Sequence, residues 1–211
     1  MDISSIIDIF LHLDVYLKII IENYGVLTYF LLFSVIFLET GLVITPFLPG
    51  DSLLFAAGAF AALGALKVWV VYITLCLAAI IGDSVNYWVG HKIGNKAFRK
   101  DGKSMINQEY LNRTIRFYEE HGGKTIILAR FIPIIRTFAP FVAGITKMNY
   151  MRFLRYNIFG GIAWVSLFVW GGYWLGNVPI IRDNFSIVIL IIIFISIIPF
   201  IVELIRRKLK K

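Results

Sequence analysis

The chain has 211 residues, is 59% hydrophobic and has a mean hydropathy of +0.79, more apolar than a soluble core of this size requires. That excludes an ordinary soluble domain and points to a membrane protein. The net charge of +8 does not mark a nucleic-acid binder, because the basic residues gather at the ends of apolar runs, and the single cysteine, Cys76, leaves neither an internal disulfide nor a cysteine metal site.

In chain order, residues 1–24 place Ile6, Phe10, Leu13, Leu17 and Ile20 at helical spacing between Asp2, Asp8, Asp14 and Glu22. This predicts an amphipathic helix lying at the membrane interface. A basic start and a small-residue cleavage site are lacking, so no removed signal peptide is expected. Residues 25–66 are apolar but interrupted at TPFLPGDSLLFAAG by Pro46, Pro49, Gly50 and Asp51. Lipid cannot satisfy bare backbone N–H and C=O groups, so such a break requires a protein-lined or watery cavity. We read 25–66 as a re-entrant hairpin, 67–91 as a span and 92–124 as a basic cytoplasmic loop.

From His91 to Lys124 there are eight Lys or Arg, and the tail RRKLKK (206–211) carries five more. The positive-inside rule places both in the cytoplasm. If 125–146 crossed fully, Lys147, Arg152, Arg155 and, two crossings later, the tail would lie outside. A second re-entrant hairpin over 125–150, broken at Pro133 and Pro140, removes the conflict. Residues 156–177 then form a span, and 185–211 form a C-terminal transmembrane helix with a basic cytoplasmic tail.

The expected class is therefore an all-α polytopic membrane protein. PFLPGDSLLFAAG (46–58) and PIIRTFAPFVAG (133–144) each open with proline and end in aromatic-x-Ala-Gly. Entering from opposite sides, they read as an inverted repeat, an arrangement in which broken helices frame a midplane transport site.

Glu39, Asp51, Asp83, Arg130 and Arg136 stand inside these apolar regions. Each such charge costs roughly 2.5–3.5 kcal/mol at the bilayer centre, so together they mark a candidate pathway. Arg130 and Arg136 would point about 120° apart on an unbroken helix, but Pro133 lies between them and allows both to turn toward one ligand. Guanidinium groups grip phosphate through two parallel hydrogen bonds, so the pair reads as the binding site for a phosphate head-group. The blander reading is that each arginine neutralises Glu39 or Asp51.

Glu39, where no helix start asks for a carboxylate, and Asp51 are the proton-coupling candidates. Asp51 is also read as an N-cap of the second half-helix, and Asp83 as a supporting residue that pairs with a cavity arginine or bonds locally to Asn86 or Tyr87. His12, His91 and His121 lack metal-ligand spacing, so neither a metal nor a cofactor is expected.

Glu39, FLPGDSLLFAAG (47–58), GDSVNYWVGHKIG (82–94) and ARFIPIIRTFAPFVAGITKMNYMRF (129–153) with Asn157 resemble the bacterial DedA family, whose fold is shared with eukaryotic VTT-domain lipid scramblases. The likeness covers roughly residues 25–175. His91 departs from it, since the family often has arginine there. The resemblance implies two facing re-entrant hairpins and movement of lipids across the inner membrane, with undecaprenyl phosphate or a phospholipid as substrate. It also implies that the residues matching Glu39, Asp51, Arg130 and Arg136 are needed, with a dependence on protons.

The expected function is a lipid-phosphate flippase, with protons and a lipid head-group as partners and room for a homo-oligomer. An intramembrane lipid phosphatase is the alternative enzyme, but no nucleophile with an adjacent base supports it. A membrane scaffold would not need five buried charges.

Overall fold

The computed structural model describes residues 24–42, 50–93 and 108–179, with backbone alone at 108–110 and 133–134. Residues 1–23 of the expected interfacial helix, the break residues Pro46 and Pro49, and the C-terminal helix and tail at 185–211 lie outside the described residues. The described residues are helical throughout, without strands: α1 Val26–Gly41, α2 Gly50–Ala62, α3 Val68–Ile93, α4 Gln108–His121, a 3-10 turn Gly122–Lys124, α5 Thr125–Ala129, α6 Pro133–Ile145 and α7 Tyr150–Gly176.

Two of these, α3 and α7, are long and apolar enough to cross a membrane. At 26 and 27 residues they would reach about 40 Å, beyond the ~30 Å hydrocarbon layer. The others are shorter. Helix α3 is patterned inside out: Trp69, Ile73, Leu77, Ile81, Val85 and Trp88 are exposed at steps of three and four, whereas Asp83 and Asn86 are buried. Such a stripe suits lipid contact and turns the polar residues inward.

The chain divides into two compact units. Among the described residues the first holds 24–32, 50–74 and 166–179, and the second 33–42, 75–93 and 108–165. Within the first, the ends of the 25–66 excursion meet, because the Lys67 backbone N–H donates to the Tyr29 hydroxyl at 2.9 Å. Within the second, the ends of 125–150 also meet. A Cβ on Gly123 would stand 2.7 Å from Tyr156 and 3.4 Å from Met148, and Ile126 packs in one cluster with Phe153.

The two units use the same helix lock. In the second, a Cβ on Gly144 of α6 would overlap the Tyr87 carbonyl of α3, and one on Gly90 would overlap the Phe141 carbonyl. In the first, Gly58 of α2 stands in the same relation to Val169 of α7, and Gly172 to Phe55. The spacing is identical: Phe55 and Gly58 match Phe141 and Gly144, while Val169, Gly172 and Tyr173 match Tyr87, Gly90 and His91. The aromatic-x-Ala-Gly repeat in the sequence is thus a repeated backbone-to-backbone contact, possible because glycine has no side chain to separate the helices.

Three expectations need correction. Pro140 does not break the second excursion; it lies inside α6. It removes one donor, the one that would meet the Arg136 carbonyl, and the helix is tethered beside it where Asn86 donates to the Thr137 carbonyl and Tyr118 to the Ala139 carbonyl, each at 2.9 Å. The second span begins at Tyr150 instead of 156, because the Asn149 side chain accepts from the Arg152 N–H at 3.1 Å and caps the helix start. The stretch 92–124 is not simply a loop, since it contains α4, whose Leu111, Ile115 and Tyr118 pack on α6.

Adjacent glycines in α7 test the lock. A Cβ at Gly171 meets nothing within 4 Å, whereas one at Gly172 meets the α2 backbone. Gly172→Ala is expected to destabilise the detergent-solubilised protein by about 1–3 kcal/mol. Gly171→Ala should be neutral or stabilising by up to about 1 kcal/mol. Thermal unfolding midpoints of the two variants check this, and equal midpoints would contradict the contact.

Candidate functional site

The break between α5 and α6 builds the centre of the site. Helix α5 closes with three short-range turns: Arg130 N–H to Ile127, Phe131 to Leu128 and Ile132 to Ala129, at 3.3, 3.2 and 2.9 Å. Ile132 is then extended, with φ −120° and ψ 104°, and Pro133 opens α6. A residue before proline is driven out of the helical region by the ring, so Pro133 sets the break. Arg130 and Arg136 therefore do not diverge. Their guanidinium carbons lie 5.8 and 5.3 Å from the ring centre of a single indole, Trp164 of α7.

Each arginine meets a carboxylate. Arg130 Nη2 donates to Asp83 Oδ2 and to Asn157 Oδ1, both at 2.5 Å. Arg136 Nη2 donates to Glu39 Oε1. Arg130 and Asp83 are each 5% exposed, and Glu39 is fully buried at 0%. A buried charge without a partner is strongly disfavoured, so these pairs allow the four groups to sit together. Glu39 lies near the C-terminus of α1, the negative end of the helix dipole, which increases its need for the Arg136 charge.

Small and amide residues fix the pairs. Gly82 lets α1 approach α3, since a Cβ there would overlap Thr40 Oγ1 and stand 3.0 Å from the Phe37 carbonyl. Asn86 Nδ2 donates to the Thr40 carbonyl at 3.0 Å and to the Thr137 carbonyl at 2.9 Å. It thereby ties together the residues next to Glu39 and Arg136. Asn157 Nδ2 donates to the Ile80 carbonyl at 2.9 Å, which aims its oxygen at Arg130. Gly160 and Gly161 leave room for the arginine: Cβ atoms there would stand 3.2 Å from Arg130 Cδ and 3.4 Å from its Nη2. Arg130 Nε is buried and has no hydrogen-bond partner among the described residues.

Glu39, Thr40, Asp83, Arg130, Arg136, Thr137 and Trp164 line one cavity of about 10 Å³. That is room for about one water. In this conformation each arginine is paired with a carboxylate.

The sequence singled out Glu39, Asp83, Arg130 and Arg136, and the structure brings these four together. Asp83 proves to be the direct partner of Arg130. Asp51 belongs to the other compact unit, half-buried in the first turn of α2 rather than at its cap. A carboxylate there faces the positive end of the helix dipole. Gly50 is the first residue of α2, where the break ends. Trp164, Thr40 and Thr137 were not foreseen, nor were Gly160 and Gly161. The glycine pair alone carried a signal, since paired small residues in a span mark a close approach.

The VTT domain matches residues 48–174. Protein DedA of Escherichia coli (strain K12) is 50% identical over 208 residues, covering 98% of this chain and 95% of the relative. The chain belongs to the DedA family. Another relative of this DedA-family protein is an uncharacterized membrane protein of Mycobacterium leprae (strain TN), 43% identical over 165 residues, 78% of this chain and 74% of the relative. Inner membrane protein YqjA of Escherichia coli (strain K12) is 36% identical over 152 residues, 72% of this chain and 69% of the relative. No solved structure matches. The DedA-family chain is a membrane protein, in keeping with the lipid-facing stripe of α3.

The pairing has a measurable signature. Glu39→Gln leaves Arg136 without its carboxylate, at an expected cost of about 3–5 kcal/mol. Adding Arg136→Gln should recover most of that loss, whereas adding Arg116→Gln should recover none. Unfolding free energies of these three variants and of Arg136→Gln alone test this. Additivity of Glu39→Gln and Arg136→Gln within about 0.5 kcal/mol would show that the pair is not coupled.

Proposed function

We propose that this DedA-family protein moves an anionic phosphate-bearing lipid, undecaprenyl phosphate or a phospholipid, across the bacterial inner membrane. Arg130 and Arg136 hold the head-group, and carboxylate protonation frees them to do so. The observation that carries this reading is the pair of arginines, Arg130 buried and Arg136 nearly so, each neutralised by a carboxylate and each over the ring of Trp164.

Exchange follows from charge balance. An incoming phosphate competes with Glu39 for Arg136 and with Asp83 for Arg130. Adding a negative charge to an already neutral buried cluster is costly. Protonating Glu39 or Asp83 cancels that charge and releases the arginine, so head-group entry and proton uptake favour each other. The free Nε–H of Arg130 gives a phosphate oxygen a donor that needs no displacement. Loss of the proton restores the carboxylate, which competes the head-group off. Asp51, in the other compact unit, is a further proton-coupling residue in this scheme.

The 25–66 and 125–150 excursions, whose ends meet, act as re-entrant hairpins of opposite orientation, and the basic C-terminus is cytoplasmic. The lipid tail stays in hydrocarbon while the head-group passes through the charged chamber. Covalent chemistry is not required, so the protein acts as a transporter and not as an enzyme.

Purified protein in liposomes with fluorescent undecaprenyl phosphate or phosphatidylglycerol tests this. The label should change leaflet without release of free phosphate, faster when the donor side is acidified. Arg130→Lys and Arg136→Lys should each slow transfer by about tenfold or more, because lysine keeps the charge but loses the fork. Phosphate release would point to hydrolysis instead, and unchanged leaflet distribution would contradict the proposal.

A further inference from the structure

A further cavity of the second unit lies outside the charged chamber. It has a volume of about 600 Å³, and its wall includes Arg113, Arg116, Phe117 and Glu120 of α4 with Ile132 and Ile135 of the α5–α6 break. The two arginines are one turn apart on the exposed side of α4, whose opposite face is fixed to α6 through Leu111 and the Tyr118 hydroxyl. Burial pushes the Tyr118 phenol well above its usual range, so it stays protonated and keeps this hydrogen bond. Unlike Arg130 and Arg136, Arg113 and Arg116 make no ion pair or hydrogen bond among the described residues. Glu120 is the one acid among the described residues of the wall; it is exposed and lies 3.8 Å from His121. The balance of these described residues is therefore positive.

We propose that this cavity is a second binding site, for the phosphate of an amphiphilic anion. Arg113 and Arg116 hold the charged group, and Phe117, Ile132 and Ile135 receive the first apolar atoms attached to it. The two basic side chains select the anion, and the apolar wall selects a lipid phosphate over free phosphate. The volume suits a head-group, whereas the buried chamber has room for about one water.

Position gives the site a role. Residues 130–136 supply Ile132 and Ile135 to this cavity and Arg130 and Arg136 to the chamber. One short broken segment thus borders both. The outer cavity is the loading site from which a head-group reaches the buried arginines once that segment shifts. This role rests on the translocation reading; the binding itself does not.

The test is Arg113→Gln/Arg116→Gln, two exposed substitutions whose folding is checked by unchanged elution and unfolding midpoint. Native mass spectrometry and a fluorescence titration measure binding of dioleoyl phosphatidic acid to protein in phosphatidylcholine nanodiscs, with inorganic phosphate as competitor. The wild-type protein should bind the lipid, and the double variant should lose about tenfold or more in affinity. Phosphate should displace the lipid only at large excess. Affinity within about twofold of wild type would overturn the proposal, and equal competition by inorganic phosphate would overturn its lipid selectivity. Arg130→Lys/Arg136→Lys separates the two readings, because it keeps a charge opposite Asp83 and Glu39 and should slow transfer by about tenfold or more yet leave this binding. Lipid binding that depends on Arg113 and Arg116 in a protein that transfers no lipid would sustain the site and sink the translocation reading.

Discussion

Four ionised side chains packed between apolar helices set the terms for the second unit. Glu39 and Asp83 cannot sit there without Arg136 and Arg130, and neither arginine can sit there without its acid. Around that requirement the neighbouring residues have a common purpose. Gly82 admits α1, Asn86 ties the backbone beside Glu39 to the backbone beside Arg136, and Gly160 and Gly161 clear a path for Arg130. Both guanidiniums then lie over the Trp164 ring, an interaction worth about 0.5–2 kcal/mol per arginine.

The repeated lock supplies the rigidity that such a cluster needs. Hydrophobic burial adds little between helices in lipid, so close backbone packing has to carry association. Gly144 and Gly90 bring α6 onto α3 so closely that a methyl group on either would strike a carbonyl, and Gly58 and Gly172 do the same for α2 and α7. The second unit places a broken helix with arginines on that lock. The first places a helix whose first turn carries Asp51.

Much of this was legible in the sequence, for identifiable reasons. Charges in apolar runs are expensive enough to stand out, which exposed Glu39, Asp83, Arg130 and Arg136. Pro133 announced the break because proline restricts both itself and its predecessor. The aromatic-x-Ala-Gly repeat was visible as a pattern, although not as a contact, because a sequence does not say which carbonyl a glycine will face. Pro140 misled for the opposite reason: a proline costs a helix one N–H, and packing from other segments, here the side chains of Asn86 and Tyr118, holds α6 on both sides of it. Trp164 carried no signal among 5 tryptophans, 10 tyrosines and 18 phenylalanines. The pairing of Asp83 with Arg130 joins residues 47 positions apart, beyond any local spacing rule.

A cluster that is neutral as it stands can admit an anion only by changing its own charge. The proposed exchange of a carboxylate for a lipid phosphate is therefore a claim about protons before it is a claim about movement. Infrared difference spectroscopy of the purified protein in phosphatidylcholine nanodiscs, recorded on adding phosphatidylglycerol, reads it directly. Lipid addition should produce the band of a newly protonated carboxylic acid, altered or lost in Glu39→Gln or Asp83→Asn. A spectrum with bound lipid and no new protonated carboxyl would contradict the exchange.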